Sequence, residues 1–235
     1  MLEELKEQVW RANQDLERYN LVSLTWGNVS GLSQDREFVV IKPSGVGYRD
    51  LMPDDLVVVD KSGQKAEGRL SPSSDTPTHL EIYKALDGLY GIAHTHSPYA
   101  TMFAQANQGV PCLGTTHADH FNGDIPITRM ITREEVSKDY EANTGKVIVE
   151  RFTSLVPLEM PAVLVAGHGA FTWGKSPEEA LLNCVALEEV ARMAFGTLLL
   201  QPEGVPFPDY LLKKHFRRKH GPEAYYGQIK FGETE

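Results

Sequence analysis

Four short apolar runs decide what this chain can fold into. Residues 37–43 (EFVVIKP), 55–60 (DLVVVD), 91–96 (GIAHTH) and 162–166 (AVLVA) are far shorter than a bilayer span and rich in β-branched side chains. They read as strands, and Ser44-Gly45 and Lys61-Ser62-Gly63 supply turn chemistry after the first two. Between the runs the spacing is helical. Leu2, Leu5, Val9, Ala12, Leu16 and Tyr19 recur at three- and four-residue steps, predicting an amphipathic first helix. Helical spacing returns over 80–86 after a Ser73-Ser74-Asp75 cap, and over 98–107. Ser176-Pro177-Glu178-Glu179 opens a long helix predicted to run to about Leu200, and 209–220 forms a basic last helix. Alternation without repeats or long linkers predicts one α/β domain over residues 1–235, layered around a sheet.

Charge and cysteine content narrow the chemistry. Against 32 Asp and Glu stand 23 Lys and Arg, a net charge of −9 that argues against nucleic acid and anionic membranes as partners. An anionic substrate therefore needs a local cluster of positive charge. Cys112 and Cys184 form no CxxC, so neither a disulfide framework nor a cysteine zinc site is indicated, and a reducing compartment fits. The first residues are charged, not a basic flank before an apolar core, and no apolar run approaches ~18 residues, so a cytoplasmic location is expected.

His94-Thr95-His96 is the strongest chemical signal. On a strand, residues i and i+2 share a face and can turn two imidazoles toward one metal, although many such pairs only satisfy core hydrogen bonds. His168, in Gly167-His168-Gly169 just after an apolar strand, supplies a third imidazole, or else a tight-turn histidine. With Asp75 these make a nitrogen and oxygen set suited to a divalent cation. Three polar turns, Gly27-Asn28, Ser44-Gly45 after Lys42-Pro43, and Ser73-Ser74, offer donors for an anion, and each taken singly is also an ordinary turn. Thr115-Thr116-His117-Ala118-Asp119-His120 gathers titratable groups, with Asp119 either a solvated acid or an acid/base. Tyr225-Tyr226 is costly apolar area for a free tail, and the run of Lys213, Lys214, His215, Arg217, Arg218 and Lys219 is either a solvated face or a source of cations.

These segments together resemble the class II aldolase-like family. The likeness runs nearly the whole chain, through Leu24-Thr25-Trp26-Gly27-Asn28-Val29-Ser30, Ile41-Lys42-Pro43-Ser44-Gly45-Val46, Pro72-Ser73-Ser74-Asp75-Thr76-Pro77-Thr78-His79, His94-Thr95-His96-Ser97, Gly114-Thr115-Thr116-His117-Ala118-Asp119 and Lys219-His220-Gly221. It departs at His120, where tyrosine is usual, and at Ala170, where proline is usual. The resemblance implies a three-layer αβα sandwich around a mixed central sheet, assembled as a C4 homotetramer with sites at subunit interfaces. It also implies zinc, or another divalent cation such as manganese or cobalt, on His94, His96 and His168 with Asp75. A sugar phosphate would be held by Gly27, Asn28, Ser44, Gly45, Ser73 and Ser74, with Lys42, Thr116 and His215 as further contacts. The implied activity, in pentose catabolism from arabinose or ascorbate, is inversion of C4 between L-ribulose 5-phosphate and D-xylulose 5-phosphate. Its route is retro-aldol cleavage and re-addition, with Asp119 and Tyr226 as acid/bases and Tyr226 reaching into a neighbour's site. Alternatives are a fuculose- or rhamnulose-phosphate type aldolase, in which a glutamate usually follows the two serines, and a non-catalytic module like the adducin head.

Overall fold

A computed structural model describes residues 2–221, 224 and 225, so Tyr226 lies outside the described residues. Seven strands form one sheet: β1 (Asn28–Leu32), β2 (Phe38–Ile41), β3 (Val57–Asp60), β4 (Lys65–Glu67), β5 (Gly91–Thr95), β6 (Ala162–Leu164) and β7 (Ala170–Gly174). Their order is β4-β3-β2-β1-β5-β7-β6. Helices α1 (Leu2–Arg18), α2 (Thr76–Ala85), α3 (Pro98–Gln105), α4 (Thr115–Ala118), α5 (Arg133–Arg151), α6 (Pro177–Leu200) and α7 (Asp209–Lys219) surround it.

Helices cover both faces of the sheet, as the layered reading expects. On one face Val9, Ala12 and Leu16 of α1 and Ala180, Leu181 and Cys184 of α6 pack on Val29, Val40, Val58 and Ala93. On the other, Ile82 and Tyr83 of α2, Leu86 just after it and Ile148 of α5 bury Val39, Val57, Val59, Ile92 and Trp173. The alternating strand residues thus divide between two cores, which is the period-two signature of a sheet buried on both sides. α6 begins at the anticipated cap, where the Glu179 N–H donates to Ser176 Oγ, with Pro177 in the first turn.

The mixed sheet is a correction: every pairing between the named strands is antiparallel, and the parallel pairing described is an isolated bridge, Ile127 to Leu164. β1, β2 and β3 are joined as a meander, through residues 33–37 and the longer loop 42–56, so no parallel crossover is required to bring these strands together. Asn28 is likewise not a turn residue but opens β1, in register with His94. α5 was not anticipated; it starts with a Thr132/Glu135 capping box and breaks its helical geometry at Asp139 (φ −164°, ψ 86°). No described helix is long and apolar enough to cross a membrane.

Candidate active site

The ends of β5 and β7 build the first half of the site. His94 is buried, and its Nδ1 lies 2.9 Å from the Ala170 carbonyl oxygen, a bond that, given by an Nδ1–H, leaves Nε2 bare and directed away. Phe171 stacks on this ring at 4.2 Å and fixes its plane. His96 faces it, Nε2 to Nε2 at 3.2 Å. His168 enters from the β6–β7 turn, where Gly169 permits the approach: a Cβ there would meet the Thr95 carbonyl oxygen at 2.7 Å. Each pair of the three rings has centroids 4.9 Å apart, and one nitrogen from each lies within 4.8 Å of the others.

This set fits a divalent cation. Burial, and then the neighbouring imidazoles, push His168 down to about 4, and burial with His94 lowers His96, so these rings present neutral donors. His168 Nδ1 is buried without a hydrogen-bond partner among the described residues. A tetrahedral zinc with Zn–N near 2.0–2.1 Å spaces its ligands by about 3.3–3.4 Å, close to the His94–His96 separation. Asp75, at the start of α2, lines the same cavity, and its Oδ2 accepts from Asn28 Nδ2 at 2.7 Å. Burial lifts this carboxyl, but the imidazoles of His94 and His79 and the Asn28 bond outweigh it and hold it below the usual range.

The other half of the site is made of turns. Gly27 takes φ +78°, and a Cβ there would meet the His94 carbonyl oxygen at 2.7 Å, so only glycine brings this turn against β5. Ser44 N–H donates to the Ser71 carbonyl and Ser73 N–H to the Lys42 carbonyl, stitching the 42–45 and 71–74 turns together. Between them stands Lys42, 1 % exposed, with the Pro43 carbonyl 3.4 Å from Nζ and the Tyr48 ring 4.9 Å away, and no carboxylate among the described residues forms an ion pair with it. Burial pushes this lysine down to about 8. A cation buried without a counter-ion is a strong attractor for an anion. Lys42, Ser44, Gly45, Ser73, Ser74, Gly27 and Asn28 share a cavity of about 340 Å³ with Asp75, His94, His96 and His168.

Asp119 is elsewhere. It caps the C-terminal end of α4 and does not line the cavity; its carboxylate accepts from Arg218 Nε at 2.8 Å and lies 3.0 Å from His215 Nδ1, both on α7. Burial would raise its pKa, yet the Arg218 and His215 bonds hold it below the ordinary range. Thr116 is exposed on α4 and also outside the cavity, and His120 packs beneath α7 beside Lys219. The Tyr225 N–H donates to the Arg218 carbonyl. Asp119, His215 and the segment leading to Tyr226 therefore form one group, separate from the histidines within a single chain.

Three residues of consequence escaped the sequence reading. Tyr140 and Glu141 line the cavity because the break at Asp139 re-aims α5, and the Tyr140 ring lies 6.3 Å from that of His168. Glu188 of α6 is buried and accepts from the Tyr99 and Ala100 N–H groups at 2.9 Å, capping α3 where it leaves His96-Ser97. No short motif marks any of them; Glu188 stands among other charged residues of α6, Glu178, Glu179, Glu189 and Arg192, so nothing in the sequence singles it out.

A family model described as Class II Aldolase and Adducin N-terminal domain matches residues 7–195. L-ribulose-5-phosphate 4-epimerase UlaF of Salmonella paratyphi B is 54% identical over 227 residues, covering 97% of this chain and 100% of that protein; the protein of the same name from Salmonella typhi gives the same figures. Among solved structures, an L-fuculose 1-phosphate aldolase is similar at TM-score 0.72 and 25% identity, covering 92% of this chain and 95% of that one. The corresponding aldolase from Thermus thermophilus is similar at TM-score 0.65 and 26% identity, covering 86% and 98%.

Proposed function

Because the chain belongs to the class II aldolase and adducin N-terminal domain family, we propose that it interconverts L-ribulose 5-phosphate and D-xylulose 5-phosphate by inverting C4 with the help of a divalent cation, zinc first among the candidates. One observation carries the reading: three imidazoles and Asp75 share a small cavity with a buried lysine that has no carboxylate partner among the described residues. One end suits the keto and hydroxyl oxygens of a sugar, the other its phosphate. An adducin-like binding module has no use for such a pair of ends. A fuculose-type aldolase would use the same cavity, and the aspartate after Ser73-Ser74, in place of the glutamate usual there, favours the epimerase.

C4 bears no acidic C–H, so inversion by deprotonation is costly and cleavage of C3–C4 is the easier route. When bound by His94, His96, His168 and Asp75, a divalent cation supplies Lewis acidity against the developing enediolate charge. The chain does the rest. Lys42 and the Ser44, Ser73 and Ser74 hydroxyls hold the phosphate through cleavage, so glycolaldehyde phosphate stays and can present its other face. Two proton carriers are needed on opposite sides of the C4 oxygen, roles given to Asp119 and Tyr226. Since Asp119 sits with His215, and Tyr225, next before Tyr226, bonds to α7 at Arg218, we assign Asp119, His215 and Tyr226 to a neighbouring subunit whose α7 end closes the cavity.

The deciding assay follows both pentulose phosphates with and without chelator. Interconversion that chelator abolishes and metal restores is expected. Release of glycolaldehyde phosphate and dihydroxyacetone without epimer would replace the epimerase with an aldolase.

A further inference from the structure

β1 and α2 meet through two polar rungs, and the mechanism uses only one. In the first, Asn28 reaches Asp75. In the second, Ser30, two residues along the same strand face, meets His79, four residues along the same helix face, with Ser30 Oγ 2.7 Å from His79 Nδ1. Ser30 Oγ also lies 2.9 Å from the Tyr83 hydroxyl. Ser30 and His79 are fully buried, and Tyr83 nearly so.

Hydrogen-bond economy fixes the protons of the second rung. The His79 ring is fully buried with a hydroxyl and no carboxylate on its Nδ1, so it is neutral and carries one proton. If Tyr83 donates to Ser30 and Ser30 to His79 Nδ1, each hydroxyl proton has an acceptor and the ring proton sits on Nε2. The opposite direction leaves the phenol proton without an acceptor in this group, a costlier arrangement in a buried site. His79 Nε2 is buried without a partner, and so is Asn28 Oδ1. The Asn28 amide cannot turn over to relieve its oxygen, because its nitrogen donates to the Asp75 carboxylate and Ser73 Oγ. Adjacent rungs thus hold one N–H lacking an acceptor and one carbonyl lacking a donor.

We propose that His79 is a positioning residue, linked from Nε2–H through a buried water to Asn28 Oδ1, that holds the Asn28 amide and thereby orients the Asp75 carboxylate. A water with such matched partners is the usual way buried polar groups are satisfied. The link rests on the reading of Asp75 as part of a metal site, but the tautomer it requires does not. The Phe171 ring, edge-on to His79 at 5.8 Å and stacked on His94, carries the same packing to the first imidazole.

Two measurements test it. In ¹⁵N NMR of the metal-free chain, His79 should show the Nε2–H tautomer with a slowly exchanging proton; an Nδ1–H tautomer overturns the proposal. Zinc affinity by chelator competition should fall about 10–100-fold in His79→Phe, which keeps the ring volume but removes the donor. His79→Gln, whose amide N–H stands where Nε2–H did, should stay near wild type. Ser30→Ala, a small change, should mix the two tautomers and weaken zinc in the same direction. Wild-type zinc affinity in folded His79→Phe, or equal losses in the Phe and Gln variants, overturns the proposal. A wild-type chain that binds no zinc instead overturns the metal reading, and the NMR result still decides the tautomer.

Discussion

The histidine cluster at the ends of β5 and β7 and the carboxylate beneath α7 are both built for proton and charge chemistry, yet they are finished differently. At the cluster, donors face one another across 3.2 Å and a buried nitrogen has no partner, so the protein has left room for a charge to arrive. At Asp119, the charge has already been met: Arg218 and His215 engage the carboxylate from α7. An unsatisfied site is one that still has binding energy to give, whereas a satisfied one must exchange partners before it can act. In the proposed function the first pole is the preorganised receptor and the second the acid/base, held charged by its α7 partners.

Breaking the first pole should have the largest effect. His168→Ala or His94→Ala removes one imidazole of three and with it several kcal/mol of Lewis-acid stabilisation, so the interconversion rate should fall by at least about 10³-fold. Elemental analysis should show the bound metal falling with it; full metal with full activity would end the assignment. Breaking the second pole separates the two. Asp119→Asn should lose about 10²-fold in rate while retaining metal, since only a proton carrier is removed. Mixed with His94→Ala chains under subunit exchange, it should regain activity, because some interfaces then pair an intact cluster with an intact Asp119. Asp119→Asn mixed with Tyr226→Phe should not, as both groups are assigned to the same side of the interface.

Smaller effects sharpen the receptor half. Lys42→Met should lower kcat/KM about 10–100-fold, mostly through KM, with metal content unchanged. A folded-state pKa near 8, below the ordinary lysine value, means that the charged form burdens the folded chain. Wild-type stability should therefore rise as pH climbs from about 8 toward the ordinary lysine value, while phosphate binding weakens over the same range, and Lys42→Met should lose both dependences. Titrating melting temperature and KM together checks the opposed signs. Tyr140→Phe should change KM only about 2–10-fold, the worth of one neutral hydrogen bond at the cavity wall.

What was legible in the sequence was whatever local chemistry decides. Ser176-Pro177 announced α6 because a cap and a first-turn proline are properties of adjacent residues, and His94-Thr95-His96 announced two ligands because strand alternation is local. β1 was not legible. Asn28 and Ser30 break the apolar pattern since they face α2 and bond Asp75 and His79, some fifty residues away. Likewise Tyr140 joins the cavity through a backbone break at Asp139 that no residue preference announces, and the carboxylate of Asp119 is turned by α7, about a hundred residues later. Candidate metal ligands and anion turns were recognisable as kinds of residue; which of them share a cavity in one chain is decided by sheet pairing.

That pairing also sets a schedule for the newborn chain. The β1–β4 meander, with the turn at 42–45 proposed to hold phosphate, pairs residues close together in sequence. His168 reaches His94 only when β7 docks on β5, after residue 174 has been made. The proposed metal site is therefore the later of the two to be completed, because its third imidazole waits on a strand pairing that spans almost eighty residues.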